Sequence, residues 1–338
     1  MKNQINQKNQ KNPKNQTNQM KSFYIFLLIL FILMISYIII KPPKEIKVCL
    51  CVLGKEENLY AKEYVENYIN LGYNHIFIYD NNDIEGEKFS DVLKEEIDKG
   101  YVTIIDYRGK RDNASQSDAY YDCYEKNKYI YDWLSFFDFD EFLQLIPENR
   151  TIQDFLNDTV FDDCQNVKLN WVFYNSEKEL LYYENKPLKI RLTKNEGASI
   201  LTKSTVRGKS HINYWYKMHN PHTSIRRYKS CSSSGKNVRH NSPSIDPPDY
   251  KNAYLKHYYY KSFEEFCRKL KRGTPDSLSY SPMIKRIFEE NKNKTEKLKI
   301  IKNVFNITKT NKTNRKLFFT RYMEMILSNI IDKRINLI

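Results

Sequence analysis

The residues from 46 to 138 alternate between short apolar runs and segments with helical spacing, and this alternation restricts the fold more than any other feature. Each apolar run has the length of a strand, and a segment with helical periodicity separates it from the next. The runs are Ile46–Leu53, His75–Tyr79, Tyr101–Asp106 and Trp133–Asp138, and the helical segments are Tyr60–Leu71, Ser90–Lys99 and Ser115–Lys128. This order predicts a doubly wound α/β fold, with a mainly parallel sheet flanked by helices.

Three acidic residues interrupt the apolar stretch at the end of the fourth run. Within Trp133–Leu143, apolar residues lead into Asp138, Asp140 and Glu141, and apolar character resumes afterwards. Open α/β sheets bind ligands at the carboxyl ends of their strands, and residues two apart can face the same side. Carboxylate oxygens in such a place suit a hard divalent cation such as Mg²⁺ or Mn²⁺. An acidic surface turn is the alternative, but apolar surroundings rarely accept unpaired acids, which favours a metal site.

The N-terminal part of the chain predicts a membrane anchor. Residues 1–21 are mostly Asn, Gln and Lys, which is typical of a disordered tail. Residues 22–40 follow, and they are predicted to form one transmembrane helix, because they carry no charge, are long enough to cross a bilayer and lack a small-residue cleavage site. The lysine-rich side should stay cytosolic, so we expect a single-pass type II protein whose remaining residues are luminal (Golgi or ER) or extracytoplasmic. Six sequons are compatible with a luminal domain: Asn113, Asn149, Asn157, Asn293, Asn306 and Asn311.

The net charge of +14 is compatible with an anionic substrate, a membrane surface or nucleic acid. The predicted span and the lack of a recognisable binding motif count against nucleic acid, so we expect no such partner. The six cysteines show no metal-ligand spacing, and the sequence does not indicate which of them form disulfides. Cys49 and Cys51 lie in a strand-like run, where core filling is their expected role.

Beyond Pro147 the pattern is less regular. Thr151–Leu156 predicts a short helix, and Val167–Tyr174 and Leu188–Leu192 predict strands. Phe263–Leu270 predicts a helix, in which Ser262 is the N-cap and Glu265 completes a capping box. Residues 276–338 are expected to form a C-terminal helical extension.

Several motifs stand out in their order along the chain: Cys51–Glu57, Tyr79–Asp83, Phe136–Leu143, Lys203–Arg207, and His257–Phe266 with Arg272 and Gly273. Together they resemble those of GT-A glycosyltransferases, and more narrowly of glycosyltransferase family 92 and its family-2-like relatives. Family members usually carry Lys-Asn-Glu where this chain has Lys55-Glu56-Glu57. The resemblance implies that residues 45–275 form a GT-A (Rossmann-like) domain. It also implies inverting transfer of a sugar, with galactose as the first candidate, from a nucleotide-sugar donor such as a UDP-sugar to a glycan or glycoprotein acceptor.

The resemblance also implies roles for particular residues. A catalytic Mn²⁺ or Mg²⁺ would be held by Asp138, Asp140 and His257, with Asp138 alternatively on the donor ribose and Glu141 either bound through water or structural. Lys261 would neutralise the donor diphosphate. A histidine packed among tyrosines is the alternative for His257, and His219 and His222 compete with it as the third ligand.

Further donor contacts are implied at the strand ends. Lys55 and Glu56 would lie beside the base, Asp80 and Asn82 would bind the uracil or ribose, and Gln116 would add a polar contact. An Asx-rich turn is the alternative for Asp80 and Asn82.

Acceptor contacts are expected in the basic, aromatic second half. His219, His222 and Trp171 are the candidates there, and core packing is the alternative for Trp171. Lys203 would either bind phosphate or face solvent. No residue is assigned as the catalytic base, because none among Glu177, Glu179 and Glu184 stands out.

An alternative function is a catalytically inactive carbohydrate-binding or scaffold protein with the same fold. The intact Asp138-Phe139-Asp140 sequence argues against that alternative.

Overall fold

The computed structural model describes residues 21–32, 34, 45–109, 115–175, 182, 186–209, 222, 229–259, 261, 262, 265, 268 and 269. The chain divides into two units, Met1–Glu45 and Ile46–Ile338. In the first unit, residues 21–32 are helical. None of the helices that the structure describes combines the length and apolar character needed to span a bilayer. The predicted anchor at 22–40 continues past the described residues, and the predicted extension at 276–338 lies outside them.

The second unit contains one sheet, which has ten strands within the described residues. The strands are β1 (Val48–Gly54), β2 (His75–Asp80), β3 (Val102–Asp106), β4 (Trp133–Phe136), β5 (Glu141–Leu145), β6 (Asn166–Asn175), β7 (Lys194–Arg207), β8 (Ser230–Cys231), β9 (Asn237–Val238) and β10 (Ala253–His257). The helices are α1 (Asn58–Asn70), α2 (Phe89–Val92), α3 (Lys94–Asp98), α4 (Ser115–Asn127), α5 (Ile152–Leu156) and α6 (Leu188–Arg191).

The first half of the sheet confirms the predicted α/β order. Strands β3, β2, β1 and β4 lie side by side, and each neighbouring pair is parallel. Helices α1 and α4 match two predicted helices, while the third prediction corresponds to the two short helices α2 and α3, which Leu93 separates. The carboxyl ends of these strands therefore meet at one edge, as parallel pairing requires.

The second half of the sheet corrects the prediction of a mainly parallel sheet. The order continues β7-β6-β10-β5, with β7 antiparallel to both β4 and β6 and β5 antiparallel to β10. The sheet is therefore mixed. The long strand β7 was not predicted, because its amino-terminal half is partly exposed and carries no apolar alternation.

A second correction concerns Leu188–Leu192, which was predicted as a strand. Its first four residues form α6, with Pro187 at the N-cap and only Leu188 and Arg191 buried. Apolar residues occur at every second position, at Leu188, Ile190 and Leu192, which is the pattern of a strand. The fold instead buries residues three apart and leaves Ile190 70% exposed, which is the spacing of a helix turn.

Two disulfides link distant elements in the part of the chain that the structure describes. Cys51 of β1 bonds to Cys123 of α4, and Cys164 bonds to Cys231 of β8. Cys49 is a free, buried thiol. The expectation that Cys51 only fills the core is therefore wrong, and its disulfide joins a central strand to the helix that covers it.

The close approach of two aromatic rings to Gly54 brings the strand ends together. The rings of Phe89 and Phe139 stack with centroids 4.9 Å apart and planes 4° from parallel. A Cβ atom on Gly54 would lie 2.6 Å from Phe89 Cζ and 2.7 Å from Phe139 Cδ2. The absence of a side chain at Gly54 thus lets the acidic turn after β4 pack against the end of β1.

Candidate functional site

The three acids lie where β4 ends and β5 begins. Asp138 and Asp140 occupy the connection between the two strands, and Glu141 is the first residue of β5. Phe139 between them points into the core, where its ring centroid lies 4.7 Å from that of Tyr64. The buried ring of Phe139 anchors the connection, and the carboxylates of Asp138 and Asp140 on either side of it contact polar side chains.

Asp138 is held by three side-chain donors. Its carboxylate accepts hydrogen bonds from Gln116 Nε2 at 2.9 Å, Tyr120 Oη at 3.1 Å and Lys203 Nζ at 2.7 Å. Burial opposes ionisation, but the positive charge of Lys203 outweighs it and lowers the pKa of Asp138. Asp138 therefore stays a carboxylate with a fixed orientation. Gln116 is one of the residues that hold this carboxylate in place.

Asp140 contacts two nitrogen groups from the far end of the described chain, the ammonium of Lys269 and the imidazole of His257, whose pKa burial lowers. His257 Nε2 lies 3.4 Å from Oδ1, and Lys269 Nζ lies 2.6 Å from Oδ2. Burial by itself raises the pKa of Asp140. The effects of Lys269 and then His257 outweigh burial, so the pKa lies well below its ordinary value.

Asp140, Glu141 and His257 form the group that could hold a metal ion. Their ligating atoms all lie within 4.8 Å of one another, and all three residues are buried. Pairing between β5 and β10 places His257 directly opposite Glu141. The structure thus brings His257 to Asp140, as the resemblance implied, and adds Glu141. Asp138 is not a member of this group, and the roles of all these residues as ligands stay predictions.

The donor set fits a divalent cation. Among the described residues, Glu141 Oε1 and His257 Nδ1 are buried and have no hydrogen-bond partner. Two carboxylates and an imidazole are ligands that suit Mn²⁺. Burial raises the pKa of Glu141 well above its ordinary value. A buried acid that is costly to ionise, beside an unbonded imidazole nitrogen, is what a cation would stabilise.

Lys203 connects Asp138 to this group. Its ammonium is 2.7 Å from Asp138 Oδ2 and 3.7 Å from Glu141 Oε1, and its side chain is 1% exposed. Burial lowers the pKa of Lys203, but Asp138 and Glu141 outweigh this effect and raise it. The expected alternatives were phosphate binding or solvent exposure. The structure contradicts solvent exposure, because Lys203 is an internal counter-ion of the acids, and phosphate binding stays a prediction. No local signal predicts that Lys203 pairs with the acids, because β7, the strand that brings it beside β4, was not predicted.

An aromatic wall borders the histidine side of the cluster. The ring centroid of Trp171 lies 4.4 Å from that of His257 and 5.2 Å from that of His222. His222 Nδ1 lies 2.8 Å from Thr202 O, and burial, together with the charge of Lys203, lowers the pKa of His222 to about 4. Trp171 is therefore packed among these rings, which agrees with the alternative of core packing. Its contact with an acceptor stays a prediction. His219 lies outside the described residues, as do Glu177, Glu179 and Glu184.

The residues predicted to contact the donor at the ends of β1 and β2 bond mainly to one another. Asp80 Oδ1 accepts hydrogen bonds from Asn82 N at 3.1 Å and Asn82 Nδ2 at 2.7 Å. Asn82 Oδ1 accepts one from Glu56 N at 2.7 Å, and Lys55 Nζ lies 2.9 Å from Asp83 Oδ1. The alternative of an Asx-rich turn describes what Asp80 and Asn82 do in this structure, and their contact with a donor stays a prediction.

A cleft of about 380 Å³ lies beside the cluster. Its lining is of mixed charge: Glu56, Glu57, Leu59, Tyr60, Gly86, Glu87, Tyr259, Lys261, Glu265, Arg268 and Lys269. Lys261 Nζ lies 3.2 Å from Glu57 Oε2 and 3.5 Å from the centroid of the Tyr60 ring. Glu56 and Lys261 both adopt positive φ, at 52° and 51°, which is uncommon for such residues and clusters at functional sites.

The predicted capping box at Ser262 orders the cationic side of this cleft. Ser262 N donates to Glu265 Oε2 at 2.9 Å, and Glu265 N donates to Ser262 Oγ at 3.3 Å. The same carboxylate pairs with Arg191 at 2.5 Å and accepts a hydrogen bond from Tyr60 Oη at 2.6 Å. This buried network fixes the position of Glu265, four residues before Lys269. The sequence predicted the cap but not the contacts with Arg191 and Tyr60.

Comparison with known proteins identifies the family. The family model described as glycosyltransferase family 92 matches residues 44–295, which is most of the chain. The chain belongs to glycosyltransferase family 92. This confirms the predicted resemblance and supports a glycosyltransferase.

The similar proteins include one from a plant and one bacterial protein of known structure. The chain is 28% identical over 113 residues to a glycosyltransferase family 92 protein of Oryza sativa subsp. japonica, across 33% of this chain and only 18% of that protein. The crystal structure of residues 1–349 of TarS from S. aureus aligns with a TM-score of 0.31 and 11% identity, over 85% of this chain and 80% of that one. The acids, His257 and the cleft all lie inside the segment that the family 92 model matches.

Proposed function

We propose that this family 92 member is a metal-assisted glycosyltransferase that takes a sugar from a nucleotide-sugar donor. The observation that carries the proposal is the group of Asp140, Glu141 and His257, whose ligating atoms lie within 4.8 Å of one another at the carboxyl end of β4. Inverting transfer to a glycan or glycoprotein is the proposed reaction, with a UDP-sugar, galactose first, as the proposed donor.

The chemistry requires positive charge where the nucleoside diphosphate leaves. A bound Mn²⁺ or Mg²⁺ would act as a Lewis acid and offset the charge that the diphosphate gathers. Asp140, Glu141 and His257 would hold the ion, since Glu141 Oε1 and His257 Nδ1 are buried without a hydrogen-bond partner and Asp140 lies beside them. Lys261 lines the cleft beside them and would bind diphosphate oxygens through charge-assisted hydrogen bonds.

We assign Asp138 to the donor sugar or ribose rather than to the ion. Its side chain is 33% exposed, whereas those of Glu141 and Asp140 are 0% and 6% exposed. Gln116, Tyr120 and Lys203 hold its carboxylate in one orientation. A carboxylate fixed in this way can accept hydrogen bonds from donor hydroxyl groups without reorganising.

Action in a luminal or extracytoplasmic compartment is part of the proposal. Two disulfides support it, because disulfides persist in oxidising environments. Asn149 and Asn157, which belong to two of the sequons, are exposed and thus accessible to glycosylation. The anchor at 22–40 rests on its sequence alone.

A donor screen with the full-length protein tests the proposal. UDP- and GDP-sugars would be incubated with Mn²⁺, Mg²⁺ or EDTA, and release of the nucleoside diphosphate would be measured. We expect release from one donor class, its loss in EDTA, and its loss in Asp140→Asn. The matched control is Asp163→Asn, because this carboxylate is 85% exposed and pairs with the surface residue Lys229.

The outcomes separate the alternatives. Glycan binding without consumption of any donor would favour an inactive carbohydrate-binding protein. Turnover that EDTA leaves unchanged would reject the metal and leave a metal-independent transferase.

A further inference from the structure

Lys269 makes its closest charge contact with Asp140, a predicted metal ligand. Its ammonium lies 2.6 Å from Asp140 Oδ2 and 3.6 Å from the centroid of the Tyr259 ring. It also donates to Tyr259 O at 3.4 Å. The ammonium therefore lies at a carboxylate oxygen that a divalent cation would also use.

Lys269 also faces the neighbouring cleft. It lines the 380 Å³ space together with Lys261 and Arg268. Its side chain is 17% exposed, while the side chains of Asp140 and His257 are 6% and 5% exposed. Lys269 thus lies between a buried carboxylate and a cleft that already contains other cationic side chains.

We propose that Lys269 is an internal cation that neutralises Asp140 until the metal binds, and then turns to the diphosphate in the cleft. This inference rests on the proposed function, since it presumes a metal at Asp140. Two cations at one carboxylate repel each other, so binding of the metal displaces the ammonium. The flexible four-carbon stem of lysine lets the ammonium move to a new anion without movement of the backbone.

Glu265, four residues before Lys269, is anchored, so the exchange is expected to need only a side-chain rotation. Glu265, one turn before Lys269, is 3% exposed and is bound by Arg191 and Tyr60. Ser262 caps the same turn through reciprocal hydrogen bonds with Glu265. A backbone held by these contacts keeps Lys269 within reach of both Asp140 and the cleft.

Calorimetric titration of the full-length protein tests the inference without relying on turnover. Mn²⁺ is titrated first in the absence of nucleotide, and uridine diphosphate is then titrated at saturating Mn²⁺. We expect Lys269→Met to bind Mn²⁺ about tenfold more tightly and uridine diphosphate about tenfold more weakly, the factor that a charge-assisted hydrogen bond typically supplies. Lys269→Arg retains the charge and should bind Mn²⁺ like the wild type.

Lys99→Met is the matched control. Lys99 Nζ also lies 2.6 Å from a carboxylate, that of Glu95, but it precedes β3 and so lies at the opposite edge of the parallel strands from the acids. This variant removes the same charge and should change neither titration.

The outcomes are distinguishable. If the wild type binds Mn²⁺ and Lys269→Met binds it equally well, the inference is overturned while the metal site stands. If only the affinity for uridine diphosphate is unchanged, the movement to the diphosphate is rejected. If neither protein binds Mn²⁺, the metal part of the proposed function fails and the inference fails with it.

Discussion

The substitution Glu265→Gln removes one buried charge while keeping the shape of the side chain. Both carboxylate oxygens of Glu265 contact Arg191, at 2.8 and 2.5 Å, and Tyr60 and Ser262 donate the other hydrogen bonds. The side chains of Arg191 and Glu265 are 2% and 0% exposed. Glutamine leaves the guanidinium of Arg191 buried beside a neutral partner, which is among the costly changes in a protein interior.

The pKa of Glu265 sets the size of the effect. Burial alone would raise this pKa, but Arg191 outweighs burial and lowers it from 4.5 to about 2. Each pH unit of that difference corresponds to about 1.4 kcal/mol, so the ionised carboxylate contributes about 3 kcal/mol of stability. Because the pKa is lower in the folded state, this contribution is present above pH 4.5 and disappears as the pH falls towards 2.

Urea unfolding of both proteins, with the disulfides kept oxidised, measures the effect. At pH 7 we expect the free energy of unfolding of Glu265→Gln to be lower by about 3 kcal/mol, and at pH 3 by less than half of that amount. Glu95→Gln is the control, because this glutamate pairs with Lys99 in solvent and should change nothing measurable at either pH. A loss below about 1 kcal/mol at pH 7, or the same loss at both pH values, would refute the reasoning.

Three further outcomes follow from the same contacts. Lys203→Met should lower the free energy of unfolding by about 3–5 kcal/mol, because it leaves the carboxylate of Asp138 without its counter-ion, and adding Asp138→Asn should restore part of the loss in urea titrations; additive losses would contradict this coupling. Gly54→Ala should cost about 1–3 kcal/mol by pushing Phe139 out of place, and an unchanged unfolding midpoint would show that the ring gives way freely. Reducing both disulfides should cost about 2–4 kcal/mol for each of them, and an equal midpoint with and without reductant would exclude a stabilising role.

Local patterns predicted the parallel half of the sheet well. The apolar runs that became β1 to β4 differ from the structure by two residues or fewer at either end, and the helices that follow β1 and β3 lie where periodicity placed them. The cap at Ser262 was also readable, since a capping box depends on residues three positions apart. These features involve neighbours in the chain, so the chain itself contains their cause.

The mixed half of the sheet was not predicted, because its pairing depends on contacts between distant residues. Strand β7 pairs with β4 and with β6, and neither pairing leaves a trace in the composition of β7. The partners of Cys51 and Cys164 lie 72 and 67 residues away. Six cysteines allow many pairings, and only the packed fold selects among them.

For the candidate site, the sequence by itself determined that acids end a buried strand and that a histidine segment follows far downstream. Only the tertiary structure decided which groups meet. In the folded chain Glu141 lies with Asp140 and His257. Lys203 pairs with Asp138, and Lys269 pairs with Asp140, which is 129 positions away in the chain. Burial sets the strength of these charge interactions, and burial is a property of the folded chain that no local pattern contains.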